Sequence, residues 1–235
     1  LKIFSIDGAY AITEESSTLL EEAMPYDINI FEISTGRFIV AYEATNVTKV
    51  KIIDIDGSYA VTVTDTLELS NVAEQTEHIS LSKIDDTHFL IAFRLNQMGK
   101  VYSIGIDESD NLEVVDMFTI TKSATRSTAI ANLGDGHFFV SAQDSDSSKM
   151  YGIVVDVDDS YIITSKYEPE TLGIDYGGLG NLTTLLIDSS SYGRTLFLVG
   201  GDGGTPVIST IQINETFSSG ITLNPTTNKT IGLVQ

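Results

Sequence analysis

The sequence predicts an all-β fold built from repeated units of four antiparallel strands. Three short motifs recur in register about every 50 residues, and each unit consists of runs of β-branched and aromatic residues bounded by turn residues. The repetition is plain in two segments, FSIDGAYAIT at residues 4–13 and IDIDGSYAVT at residues 53–62.

The first motif, Ile-x-Asp or a near equivalent, ends one strand of every unit. It places the repeated residue at Asp7, Asp56, Asp107, Asp156 and, with asparagine, Asn214, at intervals of 49, 51, 49 and 58 residues. The second motif is an apolar strand, found as GRFIVAY from Gly36, THFLIAF from Thr87, GHFFVSA from Gly136 and TLFLVGG from Thr195. The third is a Lys-Val or Lys-Met pair that opens the strand ending at the repeated aspartate, at residues 49, 100 and 149.

Residues 26–75 show the strands of one unit. The sequence predicts strands at about 28–33, 37–43, 48–55 and 59–66. Between the last two stands Asp56-Gly57, and Asp-Gly between alternating segments favours a hairpin with a type I′ turn. Each unit is therefore predicted to be a four-stranded antiparallel meander.

Such units, repeated without helical periodicity, predict a β-propeller, because radial packing of neighbours covers both faces of every sheet. We expect one domain over residues 1–235, with units near 1–25 (partial), 26–75, 76–124, 125–174 and 175–235. The segment at 228–235 is predicted to complete the first, partial unit and so close a five-bladed ring by mixing the two termini. A larger propeller of six or seven blades is the alternative, and since the chain starts at Leu1 in strand-like sequence, we expect a processed protein or part of a longer one.

Composition narrows the class of partner. Lys and Arg number 13 against 33 Asp and Glu, for a formal charge of −20. A nucleic-acid binder needs a basic surface for phosphate contacts, so no nucleic-acid partner is expected. No apolar run approaches the roughly 18 residues of a membrane span, so no membrane insertion is expected, and the absence of cysteine excludes thiolate chemistry.

Two aspartate pairs have the spacing of calcium ligands. Asp54-x-Asp56 and Asp156-x-Asp158 place carboxylates at alternate positions, as calcium loops do, but the later carboxylate of such loops is absent. A hairpin turn is the favoured interpretation, and neither a metal nor a cofactor is expected.

The remaining polar candidates do not form a catalytic set. Arg37, His88 and His137 occupy one repeat position, before the apolar strand, which favours a structural role. A glycosidase or lyase would need carboxylates on the inner strands, where the sequence offers only Glu32, Asp85 and Asp188. The Gly-rich segment at 199–206 favours a hairpin over a phosphate loop because no helix follows it.

The repeats resemble those of repeat β-propeller proteins, and the segment TTNKTIGLVQ at 226–235 resembles the N-K-x-I-G-I-A segment that follows such repeats in bacteriophage tail and fibre proteins and related surface proteins. The absence of tryptophan separates the chain from WD40 propellers. The resemblance implies a non-enzymatic recognition or structural module, extracellular or virion-associated, that binds a protein neighbour in an assembly or a surface glycan. The alternative is a carbohydrate-active enzyme with a site in the central channel.

Overall fold

The computed structural model consists of antiparallel β-sheets throughout the part of the chain that it describes. It describes residues 1–71, 74, 76–120, 124–144, 146 and 149–165, and further along the chain the strands at 170–175, 183–188, 194–202, 205–213 and 223–230. Within these residues there is no helix of the length and hydropathy that a membrane span requires.

Two complete four-stranded sheets follow each other in the first half of the chain. Sheet 2 consists of β3 (Tyr26–Ser34), β4 (Arg37–Ala44), β5 (Val47–Ile55) and β6 (Val61–Glu68), paired in chain order. Sheet 3 consists of β7 (Thr76–Lys83), β8 (His88–Leu95), β9 (Met98–Ile106) and β10 (Leu112–Thr119), again in chain order. The predicted four-stranded meander is confirmed in both.

The fourth sheet has a divided outer strand. It contains β11 (Thr125–Gly134), β12 (His137–Asp144) and β13 (Lys149–Val157), and β13 pairs along its length with both β14 (Ile163–Thr164) and β15 (Glu170–Asp175). Sheet 5 consists of β16 (Thr183–Asp188), β17 (Arg194–Asp202), β18 (Thr205–Ile213) and β19 (Leu223–Thr230). Because Asp202 pairs with Thr205, the Gly-rich segment is a hairpin, as predicted.

Sheet 1 is a half-unit, as the repeat predicts. It contains β1 (Lys2–Ile6) and β2 (Ile12–Ser17), paired in the register that β5 and β6 use 49 residues later. Even the bulge between Ile3 and Phe4 recurs between Ile52 and Ile53. Strands β1 and β2 are therefore the third and fourth strands of a unit.

The first strands of successive sheets lie side by side. Strand β7 contacts β3 on one side and β11 on the other, and β11 also contacts β16. Side chains bond across this boundary at the repeat spacing: Asn29 Nδ2 donates to the Ile79 carbonyl (2.8 Å) and Thr128 Oγ1 to the His78 carbonyl (2.6 Å). These are the innermost strands of the propeller.

The apolar second strands supply the cores between sheets. Ile39 and Ala41 of β4 pack with Ile79, Phe89 and Ile91 of sheet 3, and all five are at most 6% exposed. A second core joins sheets 3 and 4, with Leu90 and Ala92 against residues that include Phe138 and Val140. Since both faces of each second strand are buried, the strand reads as a continuous apolar run in the sequence.

The repeated aspartate does not open a type I′ turn, and that prediction is wrong. Strand pairing ends at Ile55 and Val61, so the loop has five residues, and its positive φ falls on Tyr59 (64°) rather than on Gly57. Type I′ turns instead join the second and third strands, where Thr45 and Asn46 both have positive φ. The aspartate is selected for its hydrogen bonds and not for its backbone angle.

In the fourth sheet the repeated aspartate is Asp158, two residues later than the sequence motif indicated. Its Oδ1 accepts the backbone N–H groups of Ser160 (2.9 Å) and Ile162 (3.0 Å), the pattern that Asp7, Asp56 and Asp107 show with the residues two and four positions on. Asp156 lies inside β13 and contacts His137. The motif was misaligned because Asp156 and Asp158 both follow valine.

The closing strand predicted at 228–235 is only partly described. Residues 228–230 belong to β19, where Asn228 pairs with Ser209 and Thr230 with Val207, so they form the fourth strand of sheet 5 and not an inner strand of sheet 1. Residues 231–235 lie outside the described residues. The five-bladed closure and the single-domain boundaries remain predictions.

Candidate functional site

The sheets present two ends of different chemistry, because alternate turns of an antiparallel meander lie at opposite ends. We call one end the Asp face: it carries the turns that follow β3, β7 and β11 and the aspartate turns at 56–60, 107–111 and 158–162. We call the other end the connection face: it carries the turns at 45–46 and 96–97 and the ends of the fourth strands β6 and β10.

The aspartate turns of the Asp face are internally satisfied. Hydrogen bonds from the Ser58 hydroxyl and from the backbone of Ala60 and Ser58 lower the pKa of Asp56, and bonds from Asn111 lower that of Asp107. Asp54, the other half of one proposed calcium pair, accepts a hydrogen bond from Thr64 and lies 3.8 Å from Arg37 Nε. Antiparallel pairing of Ile55 with Val61 places Asp54 in the third strand of a hairpin and Asp56 in its loop, as the sequence predicted.

Arg37, His88 and His137 each open a second strand at the Asp face, and two of them join neighbouring sheets. Arg37 Nη2 donates to Asp110 of sheet 3 at 2.7 Å. His88 stacks on Tyr161 of sheet 4 with the two rings 9° from parallel. His137 Nδ1 lies 2.6 Å from Asp156 Oδ1. The predicted shared position is confirmed, and the contacts are those of a structural role.

Asp85 belongs to the same face. Partial burial raises the pKa of its carboxyl, but hydrogen bonds from Thr87, the Tyr161 hydroxyl and His88 outweigh burial and bring it to about 2. It lies in the loop between β7 and β8 and not on an inner strand. Glu32 is exposed on β3, and for Asp188 the structure shows only that it ends β16.

The connection face holds a polar group at the end of three second strands, β4, β8 and β12, on the side that faces the next sheet. The position is occupied by Glu43 in β4, Arg94 in β8 and Gln143 in β12. Glu43 is 8% exposed and Gln143 is 3% exposed. A structural role would select the same residue in every unit. Three different polar groups at one repeat position therefore indicate a functional site.

Glu43 has an uncompensated carboxyl. Burial raises its pKa to about 7, with further increases from Asp27 and Glu77 and a smaller decrease from Arg94. None of the described residues donates a hydrogen bond to this carboxyl or forms an ion pair with it within 4.0 Å. A buried charge without a partner is costly, so Glu43 is half protonated near neutral pH.

Two further carboxyl groups and a histidine lie on the inner strands β3 and β7, and both carboxyls act on Glu43 electrostatically. Asp27 Oδ2 accepts the His78 backbone N–H at 2.7 Å and lies 3.7 Å from the His78 ring. Glu77 is paired with Arg94 across β7 and β8 and lies 3.7 Å from His78 Nε2. Their side chains are partly exposed, Asp27 at 23%, His78 at 27% and Glu77 at 33%. They form the accessible part of the site.

Two threonines line the buried part. Thr48 pairs directly with Glu43, and Thr76 pairs with Leu95, whose side chain packs into the core between sheets 2 and 3. Both threonines are completely buried, and the hydroxyl oxygen of each has no hydrogen-bond partner among the described residues. Each unsatisfied buried hydroxyl requires an explanation, and that of Thr48 belongs to the residue paired with Glu43.

We call Asp27, Glu43, Glu77, His78 and Arg94 the acidic cluster. None of these five residues was singled out in the sequence analysis. A signal was present: Glu43, Arg94 and Gln143 align when the second strands are superposed, and a polar residue at the end of an apolar run is unusual. No group of three or more His, Asp or Glu side chains within the described residues has metal-binding geometry.

The cluster has a limited chemical range. Its carboxylates can accept hydrogen bonds or hold a cation, and Glu43 can donate a proton near neutral pH. A Ser-His-Asp arrangement is not among the contacts of the described residues, and the ring of His78 lies 3.7 Å from the carboxyl groups of Asp27 and Glu77.

The chain is a β-propeller of four-stranded antiparallel blades. It is similar to the crystal structure of the Nup133 β-propeller domain of Vanderwaltozyma polyspora, with a TM-score of 0.50 and 13% identity, over 87% of this chain and 62% of that one. The chain thus spans about three-fifths of that domain, and the likeness establishes the fold alone. No protein-family model matches the chain, and no characterised protein matches its sequence.

Proposed function

We propose that the chain is a non-enzymatic recognition module that binds a protein neighbour through its connection face. The observation that carries this proposal is the acidic cluster: Glu77 pairs with Arg94, and the buried carboxyl of Glu43 lies within the electrostatic field of Asp27, Glu77 and Arg94. Partly exposed Asp27 and Glu77 offer acceptors to a lysine or arginine of the partner. The net charge of −20 favours a basic partner surface.

The setting that we propose is a virion or cell surface. The resemblance of residues 226–235 to segments of bacteriophage tail, fibre and surface proteins supports this setting, as does a soluble acidic composition without cysteine. Immunolabelling of intact particles and cells tests it: label on the outside supports the proposal, and label only after lysis contradicts it.

The binding experiment compares one variant on each face. Asp27→Asn, which keeps a residue that tolerates the positive φ of 49°, removes a carboxylate charge from the acidic cluster. Asp86→Asn changes a carboxyl that is 87% exposed near the Asp face. Lysine- and arginine-rich peptides and a glycan array serve as probes, with calcium and again with chelator.

Saturable binding of basic peptides that Asp27→Asn weakens at least tenfold and Asp86→Asn leaves unchanged supports the proposal. Binding to one defined sugar that the variant in the acidic cluster weakens and Asp86→Asn does not would show that the ligand is a surface glycan and not a protein. Loss of binding in the presence of chelator would show that a metal ion takes part, and would overturn the expectation that binding needs no metal. Binding that both variants weaken equally contradicts the assignment to the connection face.

The raised pKa of Glu43 favours one second candidate, a glycosidase or lyase. A carboxyl of pKa about 7 within the field of two other carboxyls is the arrangement of a general acid. Against it, Glu43 is only 8% exposed, so a substrate would have to enter between the sheets. Turnover of a polysaccharide panel that Glu43→Gln abolishes would establish the enzyme; absence of turnover retains the binding module.

A further inference from the structure

Three buried polar groups between sheets 2 and 3 have no hydrogen-bond partner among the described residues. We call them the acceptor site, and they are the carboxyl of Glu43 and the hydroxyls of Thr48 and Thr76. Glu43 is 8% exposed, and the two threonines are completely buried. Buried polar groups in folded proteins are almost always paired, so three together indicate a donor that the described residues do not supply.

The pairing of the strands brings the three groups to one place. Glu43 pairs directly with Thr48 across β4 and β5, and side chains opposed in this way lie about 5 Å apart on one face of a sheet. Ala41, two residues before Glu43 on that face, packs into the core between sheets 2 and 3. Thr76 opens β7 and pairs with Leu95, which belongs to the same core. The acceptor site therefore lies in this interface, at the connection face.

The next interface along the chain holds a cation at the same repeat position. Between sheets 3 and 4, the equivalents of the acceptor site are Arg94, Gly99 and Thr125. The side chain of Arg94 is only 13% exposed, and its guanidinium pairs with the Glu77 carboxylate. One interface thus contains a cation of the chain itself, whereas the acceptor site offers a carboxyl and two hydroxyls.

We propose that the acceptor site receives the ammonium group of a lysine side chain of the partner protein, with Glu43 as its counter-ion. This inference rests on the proposed function and adds the kind of residue that is recognised. An ammonium carries three N–H donors on one atom, and the site offers it one carboxylate and two hydroxyl oxygens. A guanidinium holds its donors in a rigid planar fork, which fits such a set less well.

The approach to the acceptor site is acidic and partly open. Asp27, His78 and Glu77 lie on the inner strands with side chains that are 23%, 27% and 33% exposed. Their carboxylates attract a cation from solvent. The lysine stem is an unbranched chain of methylenes, so it needs a narrower opening than a sugar ring does. Leu95, which is 8% exposed, offers this stem an apolar contact.

Ammonium binding at Glu43 should depend on pH, because only the ionised carboxyl is a counter-ion. The other charged groups on the strands around it are Asp27 on β3, Glu77 and His78 on β7, and Arg94 on β8. Tyr102 of β9 stays neutral, since burial raises its pKa above the ordinary value of 10.0. Because burial raises the pKa of Glu43 to about 7, affinity should be about tenfold weaker at pH 6 than at pH 8.

The probe for the acceptor site is n-butylammonium, added to the full chain while the ¹³C signal of the Glu43 carboxyl is followed by NMR. Following this signal separates Glu43 from His78, because an imidazole also titrates between pH 5 and 8. At saturation the probe should lower the midpoint of the Glu43 titration by about one pH unit or more. Butyltrimethylammonium has the same charge and no N–H donor, so it should leave the midpoint unchanged.

Thr48→Val is the variant that tests the hydroxyls. It replaces an unpartnered hydroxyl by a methyl of the same shape, so the fold is retained, and it should weaken n-butylammonium binding about tenfold. Thr62→Val makes the same change at an exposed position of β6 and should leave the affinity unchanged. Binding that weakens at pH 6 and in Thr48→Val alone supports the site.

Two results with n-butylammonium overturn the acceptor site. One is an unchanged Glu43 signal, or an equal response to butyltrimethylammonium; the other is binding that both threonine variants affect equally. Either result stands whether or not basic peptides bind to the chain, so failure of the site is distinct from failure of the proposed function.

Peptides that differ only in one residue test lysine as the source of the ammonium. The residue is lysine, arginine or trimethyl-lysine, and a preference for lysine of about tenfold supports the assignment. Equal binding of the lysine and arginine peptides overturns it. Saturable binding of n-butylammonium without binding of the lysine peptide would make the ligand a free amine and overturn the assignment to a protein partner.

Discussion

The Asp face and the connection face differ in how closely their residues follow the repeat from one sheet to the next. On the Asp face, four aspartates hold four turns with the same pair of backbone hydrogen bonds, and the residues that join sheets recur at the repeat spacing. On the connection face, one repeat position carries a carboxyl, a guanidinium and an amide. The comparison teaches that repetition marks the residues that support the fold, and departure from it marks the candidate site.

The largest expected effect lies on the Asp face, at a glycine. Gly36 has a φ of +78°, and a Cβ there would lie 2.7 Å from the Ile55 carbonyl oxygen. Gly36→Ala should lower the free energy of unfolding by about 2–3 kcal/mol. Urea denaturation measures it.

Gly57→Ala is the matched control for that substitution. Nothing lies within 4 Å of a Cβ at Gly57, and its φ is not positive, so the free energy of unfolding should stay within about 0.5 kcal/mol of wild type. Equal losses in both variants would contradict the account of the turns.

The second largest effect is expected on the connection face, where substitution of Glu43 should raise the free energy of unfolding instead of lowering it. The pKa of Glu43 is about 7 in the folded protein against an ordinary value of 4.5, so folding binds a proton. The contribution of Glu43 to stability is therefore full below pH 4.5 and is lost as the pH rises through 7. Glu43→Gln should stabilise the protein by about 2 kcal/mol at pH 8 and have little effect at pH 4.5.

Denaturant unfolding at the two pH values measures this difference. Glu32→Gln, at an exposed carboxyl of the same sheet, is the control and should change stability at neither pH. A stability gain in Glu43→Gln that is equal at both pH values would show that the carboxyl is not the cause.

A smaller effect is expected where an aspartate joins two outer strands. Asp65 Oδ2 accepts the N–H of Leu112 at 2.7 Å, and Asp116 accepts that of Ile163 at the same distance. Asp65→Ala should cost about 1 kcal/mol, because it leaves a buried N–H without an acceptor. Asp65→Asn keeps an oxygen acceptor and should recover part of the loss; thermal unfolding of both variants tests this.

The smallest expected effect is on stability at acid pH, at Asp85. The pKa of Asp85 is about 2 against an ordinary value of 3.8, so its contribution to stability is present above pH 3.8 and is lost as the pH falls through 2. Asp85→Asn should flatten the acid limb of the unfolding profile without affecting the limb above pH 5. An unchanged acid limb would show that its hydrogen bonds do not hold the loop.

The sequence predicted the strands well because their signals are local. Apolar runs such as FIVA and FLIA determine both strand type and burial, and the repeat gives their order. The prediction of the turn type was wrong because Asp-Gly is favoured in turns for two different reasons. Glycine tolerates a positive φ, and aspartate accepts hydrogen bonds from the turn. Only the second reason applies at Asp56.

The acidic cluster could not be derived because its members come from four strands. Asp27, Glu43, Glu77 and Arg94 lie 16 to 67 residues apart in the chain, and their contact depends on the register of β3 with β4 and of β7 with β8. Positive φ at Asp27 and His78 marks a bulge in both inner strands, which no residue pattern announces. The sequence predicts the strand in which each residue lies, but it does not predict that the residues come close together in the fold.

The most direct test of this contrast is an NMR titration of the Glu43 side-chain carboxyl, with ¹³C-labelled glutamate and Glu43→Gln to assign the signal. An uncompensated buried carboxyl at the connection face predicts a midpoint near pH 7. A midpoint near 4.5 would mean that Glu43 is solvated or paired like an ordinary glutamate, and the connection face would then lose its claim to be the functional one.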